Sequence, residues 1–213
     1  MAFDSYTNLQ LEIGDYLARD LTSKIPSFIT LAEAKFNRSL RCKDMEQRST
    51  AIVNLAASEP EFISLPSDFQ TMRRLRLTSV TGKPRVDYAS NAAMDDKRTS
   101  RGNATGQPQF FTINGSELEL FPTPDDSYSL EMTYRKLIPP LASNSTNWLL
   151  ASHPDAYLYG ALMESEPYTK NDARVVLWAQ ALSTVIDQIN NIQNDAAFNA
   201  GPLVPQFTNQ VTP

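Results

Sequence analysis

An apolar seam near the end of the chain constrains the fold more than any other stretch. Val175, Trp178, Leu182, Val185, Ile189 and Ile192 recur at alternating steps of three and four, while Gln180, Asp187, Gln188, Asn190 and Gln193 fall mostly elsewhere on the helical wheel. A long helix is therefore predicted, and its apolar side must be covered. Val176, Leu177, Ala179, Ala181 and Ile186 widen that side beyond a narrow stripe, so the helix is expected to meet several neighbours rather than one coiled-coil partner. A second copy of the chain would supply some of them. Two capping boxes mark helix starts ahead of the seam: Ser152-His153-Pro154-Asp155 and Thr169-Lys170-Asn171-Asp172 each place a hydroxyl three residues before a carboxylate. A short helix followed by a long one is expected.

Upstream, residues 7–41 read as two helices broken at 23–26. Leu9, Ile13, Tyr16, Leu17 and Leu21 make the apolar face of the first, with Thr7 and Gln10 in capping-box relation. Pro26 suits the first turn of the second, in which Ile29, Ala32, Phe36 and Leu40 repeat at helical spacing. From about residue 49 to 138, period-two alternation takes over. Residues 62–65 form a short strand ended by Pro66, and Leu75, Leu77 and Val80 another with Arg74 and Arg76 facing out. Asn114-Gly115 is a hairpin signal between Phe110, Phe111 and Ile113 on one arm and Leu118 and Leu120 on the other. Tyr128, Leu130, Met132 and Tyr134 then alternate with Ser129, Glu131 and Thr133. Residues 90–106 are a polar excursion with a helical turn at 92–96. Residues 200–213 carry no charge and three prolines, and are expected to stay extended until a partner orders them. The expected fold is α+β and mainly helical. It has a four-helix bundle core from helix pairs at 1–48 and 141–199, a small antiparallel β-sheet inserted at 49–140, and an extended C-terminal tail at 200–213.

Composition removes several classes of function. The 213 residues suffice to bury roughly 70 % of the unfolded surface, so a real core is expected. A net charge of -5 and a pI near 4.9 argue against a broad phosphate-gripping face. The single cysteine, Cys42, cannot form an intrachain disulfide and reads as a structural thiol. The start Met1-Ala2-Phe3-Asp4-Ser5 has no signal-peptide pattern, and no apolar run is long enough to span a membrane, so neither export nor a membrane partner is expected.

His153 is the only histidine, which leaves no two-histidine metal site; in His153-Pro154-Asp155 it reads as part of a helix start. Gly-x-Ser-x-Gly, phosphate-binding glycine loops and paired-cysteine motifs are absent, and neither a metal nor a cofactor is expected. Glu164 with Glu166, Asp95 with Asp96, Glu117 with Glu119 and Asp125 with Asp126 are carboxylate pairs on helix ends, strand faces or loops, where solvated charge is the default. No catalytic residue is assigned. Arg73, Arg74 and Arg76 are a local basic cluster suited to an acidic face of a partner subunit. Trp178, Leu182, Val185 and Ile189 join them as candidate subunit-interface residues, Trp178 as an aromatic anchor.

The order of these parts resembles a known family. Paired N-terminal helices lead to a β insertion opened by Leu65-Pro66-Ser67-Asp68-Phe69, then to Pro154-Asp155-Ala156-Tyr157-Leu158-Tyr159-Gly160-Ala161-Leu162 and Asn171-Asp172-Ala173-Arg174-Val175-Val176-Leu177-Trp178, and finally to the uncharged tail. This is similar to the head-to-tail adaptor (connector) proteins of tailed bacteriophages, particularly short-tailed ones. The resemblance implies a non-enzymatic structural protein of the virion that docks under the portal protein as a ring, twelve copies in such families, and continues the DNA channel towards a tail or nozzle protein. DNA would pass without specific binding, and assembly would take place in the host cytoplasm. Leu203, Val204, Phe207 and Val211 would lie on the portal. A tail-tube completion or stopper protein is the alternative within that class. A cell-wall hydrolase of the tail machine, using Glu164 or Glu166 in an apolar cleft, is the alternative outside it.

Overall fold

The computed structural model describes residues 3–102, 104–170 and 172–198, and these fall into two compact units. One comprises the described residues up to Lys43 together with those from Pro140 onward; the other is Asp44–Pro139.

The first unit is helical: α1 (Tyr6–Leu17), α2 (Ile25–Ser39), α4 (Trp148–Ser152), α5 (Pro154–Thr169) and α6 (Asp172–Phe198), with α3 (Asn91–Arg101) belonging to the other unit. Local chemistry sets the ends. Ser5 caps α1 by accepting from the Asn8 amide, so the cap lies two residues before the expected Thr7. Asn147 caps α4 through the Leu150 amide (2.9 Å). The Ser152 capping box does not form: Ser152 ends α4, and His153 precedes α5 without a side-chain cap, while Pro154 occupies the first turn as expected. Thr169 is the last residue of α5, where its hydroxyl donates to the Glu166 carbonyl (3.0 Å); Asn171 lies outside the described residues.

The expected four-helix bundle core is not formed. A bundle helix turns one apolar stripe to a shared centre, but α5 buries residues all round, including Ala156, Tyr157, Leu158, Gly160, Ala161, Leu162 and Met163, and α1, α2, α4 and α6 all pack on it. It is a hub rather than one stave of four. Gly160 permits the closest approach, since a Cβ there would stand 2.8 Å from Phe36 Cζ and 3.0 Å from Ala32 Cβ. Beneath it, Glu33 is buried with its Oε1 accepting from the Leu141 amide (2.8 Å) and the Tyr157 hydroxyl (3.2 Å), and Asn147 Nδ2 donates to that hydroxyl (2.7 Å).

The second unit corrects the expected small antiparallel sheet. Seven strands, β1 (Glu46–Ile52), β2 (Phe62–Ser64), β3 (Phe69–Leu77), β4 (Arg85–Tyr88), β5 (Phe110–Asn114), β6 (Glu117–Phe121) and β7 (Ser129–Lys136), form one sheet in the order β1-β7-β3-β4-β5-β6-β2, curled into a half-barrel. All neighbours are antiparallel except β4 and β5, which run parallel. Leu75, Leu77, Val86, Phe111, Leu118, Leu120, Leu130, Met132 and Tyr134 bury one face. The excursion at 90–106 holds a full helix, α3, capped by Ser90 and resting through Met94 on Phe110 of β5 and Phe121 of β6. The tail expected at 200–213 lies outside the described residues.

Candidate interaction surfaces

On the face of the sheet opposite its apolar core, register and alternation line up arginines. Thr50, Glu131, Arg76 and Arg85 form one row across β1, β7, β3 and β4, and Arg48, Thr133 and Arg74 form the row beside it. Glu131 is the centre: buried to 2 % exposure, it receives the Nε of Arg48 on Oε2 and the Nε of Arg76 on Oε1 (2.6 Å), with Arg74 Nη2 at 4.0 Å. Burial alone would raise its carboxyl. The hydrogen bonds and charges of Arg48 and Arg76 outweigh that and hold it below the usual carboxylate range.

Around this anchor the other guanidinium groups stay open. Arg74 is 52 % exposed and Arg85 71 %, the latter paired with Asp87 at 3.1 Å, and Arg73 reaches Glu46 at 3.4 Å. With Arg135, in register with Glu46, the face carries six guanidinium groups against the carboxylates of Glu46, Asp87 and Glu131. Arg73, Arg74 and Arg76 are thus part of a larger surface. Arg48, Arg85 and Glu131 belong to it and are not recognisable from local sequence. Glu46–Ile52 shows no apolar alternation, Arg85–Tyr88 is four residues long, and only pairing in space shows that an outward Glu on β7 is enclosed.

In the helical unit, Leu182, Val185 and Ile189 are buried within the chain, on the side of α6 that packs against α5. Trp178 stacks on Tyr159 (centroids 5.9 Å apart, 19° between planes), and its Nε1 donates to Glu166 Oε1 (3.0 Å). Asn190 pins the far end of the seam, accepting from the Arg41 amide (2.8 Å) and donating to the Ser39 carbonyl (3.3 Å). The opposite side of α6 shows Val176 and Leu177, 61 % and 57 % exposed, followed by Gln180, Ser183, Thr184, Asp187 and Asn191, while Ile192 continues the seam and is itself exposed. Between Val175 and Ile192 only Asp187 is charged. Leu203, Val204, Phe207 and Val211 lie outside the described residues.

The carboxylates a hydrolase would need do not converge. Glu164 pairs with Lys35, whereas Glu166 accepts from Trp178 and from the Thr169 hydroxyl (3.2 Å), so the two are committed to different partners. Glu166 does line a recess of about 350 Å³ with Tyr16, Arg19, Thr169 and Arg174, but no second carboxylate is among its lining residues. Among the described residues, no cluster of metal-ligating side chains is present and no helix is long and apolar enough to cross a membrane.

Compared with known proteins, the sequence matches a family model described as SU10 adaptor protein over residues 4–206. No curated protein matches it.

Proposed function

The chain belongs to the SU10 adaptor protein family, and so to the structural components of the phage virion; from this we propose that it docks as a ring under the portal protein and continues the DNA channel towards the tail. The observation that carries the reading is the extent of the family match, which takes in both units and reaches into the residues beyond the described helices. Two physical features support it. Among its exposed residues α6 carries a long stretch led by Val176 and Leu177 in which Asp187 is the one charge, the composition of a protein interface rather than of a solvated helix. Trp178, Leu182, Val185 and Ile189 seat that helix on α5 and so set where the stretch is presented to a neighbouring copy. The chain's net charge of -5 suits a channel through which DNA slides, since attraction to phosphate would slow it.

In this reading Leu203, Val204, Phe207 and Val211 lie along the portal surface, and Arg73, Arg74 and Arg76 contact a neighbouring copy. The test is electron microscopy of phage heads lacking this protein, before and after the purified chain is added. A ring of new density below the portal is expected. Heads that gain none at that vertex refute the assignment. A chain shortened by residues 200–213 is expected to lose portal binding, and undiminished binding would remove the role given to the tail.

A further inference from the structure

The charge of the β unit is separated in space, and the separation has a use. Six guanidinium groups face three carboxylates on one side of β1, β7, β3 and β4, whereas the rest of Asp44–Pro139 holds ten carboxylates against five cationic groups. A ring built from identical heterologous contacts needs two different, complementary surfaces on each subunit. The unit has both. Beside the arginine face a recess of about 210 Å³ opens, lined by Arg73, Arg74 and Arg85 with Tyr88 and Phe111. It has room for one or two carboxylate side chains against an apolar floor. Among the exposed acids, Asp95-Asp96 and Asp125-Asp126 are consecutive pairs that take part in no ion pair with the described residues, Asp125 accepting from the Tyr128 hydroxyl (2.7 Å).

We infer that the arginine face and its recess receive an acidic pair, Asp95-Asp96 or Asp125-Asp126, of the adjacent copy. The inference rests on the ring reading above and names the contact that closes it. Glu131 sets the geometry of the surface. By engaging Arg48 and Arg76 it keeps two side chains fixed, so that incoming carboxylates meet Arg74 first, together with Arg73 and Arg85, whose own partners Glu46 and Asp87 are solvent-exposed ion pairs open to exchange. Duplex DNA fits the face less well, because Glu46, Asp87 and Glu131 are interleaved with the arginines and would lie against phosphates.

The test is charge reversal in the full chain, read as occupancy on heads lacking the protein. Arg74→Glu with Arg85→Glu leaves the Arg48 and Arg76 bonds to Glu131 in place and is expected to lower occupancy about tenfold. Reversal of the partner pair, Asp95→Lys with Asp96→Lys or Asp125→Lys with Asp126→Lys, is expected to do the same. Combining the two reversals in one chain should restore assembly. The milder Arg74→Gln with Arg85→Gln, checked by circular dichroism, separates loss of charge from loss of fold and should give an intermediate occupancy.

Wild-type occupancy by the arginine variant overturns the inference, as does a defect that neither acidic reversal repairs. Retention of duplex DNA at physiological salt that disappears in the arginine variant reassigns the face to nucleic acid and overturns it too. If the unaltered chain never joins the heads, the adaptor reading itself fails, which is a distinguishable result.

Discussion

Two buried glutamates give the chain opposite responses to pH. Burial raises the Glu33 carboxyl above its ordinary value, and the hydrogen bonds from the Leu141 amide and the Tyr157 hydroxyl only partly oppose this. A carboxyl raised on folding contributes stability that is complete below its unfolded value and is lost as pH climbs through the folded one. Glu131 is the reverse case: its carboxyl is held down by Arg48 and Arg76, so its contribution is present above the unfolded value and is lost as acid protonates it. Glu33→Gln should therefore gain on the parent chain as pH rises from 5 to 8, seen in urea denaturation at each pH. Glu131→Gln should melt several degrees lower at pH 7 and lose that deficit as acid below the ordinary carboxylate range protonates Glu131 in the parent chain. An Arg48→Gln change at pH 7 should produce part of the same loss.

At the level of elements, α5 and α6 divide the labour between core and contact surface. Gly160 lets α2 lie directly against α5, so Gly160→Ala must move Phe36 or Ala32 and should cost about 1–3 kcal/mol in denaturant titrations. Combined with Phe36→Leu it should cost less than the two changes summed, because the smaller side chain vacates the clash. On α6 the prediction has two parts. Leu182→Ala should destabilise the chain by about 2–5 kcal/mol, while Val176→Ser with Leu177→Ser should leave the melting temperature within a degree or two and still impair ring formation on heads.

Much of this was legible in sequence. The seam from Trp178 to Ile189, the helices around Leu9 and Phe36 and the strand through Met132 follow from the spacing of their apolar residues among polar ones, and the hairpin from Asn114-Gly115. The hub was not, because a helix buried on every side has no amphipathic period to read. Nor were β1 and β4, whose strand character comes from the partners they pair with rather than from their own composition. The arginine surface escaped for the same reason: Arg48, Arg76 and Arg85 come from three strands spread over 38 positions of sequence and meet only through register.

For the whole molecule, the balance of charge decides how it treats DNA. The net charge of -5 is a long-range term, whereas the six guanidinium groups of the sheet face act over a Debye length of about 8 Å at physiological salt. Counterion release could tie that face to phosphate only if most of its cations were available. Arg48 and Arg76 are engaged by Glu131, Arg73 and Arg85 have carboxylates of their own, and Arg135 is almost fully enclosed. Few are left to displace counterions. The intact chain should then leave duplex DNA unshifted in a gel assay at about 0.15 M salt. Protonating acids elsewhere should change this little until Glu131 itself is neutralised and releases Arg48 and Arg76. Glu131→Gln makes the same release at neutral pH, and it should shift duplex DNA at about 0.05 M salt, where the parent chain does not. An equal lack of binding by both chains would mean that the surrounding acidic surface, rather than the anchored arginines, keeps the nucleic acid away.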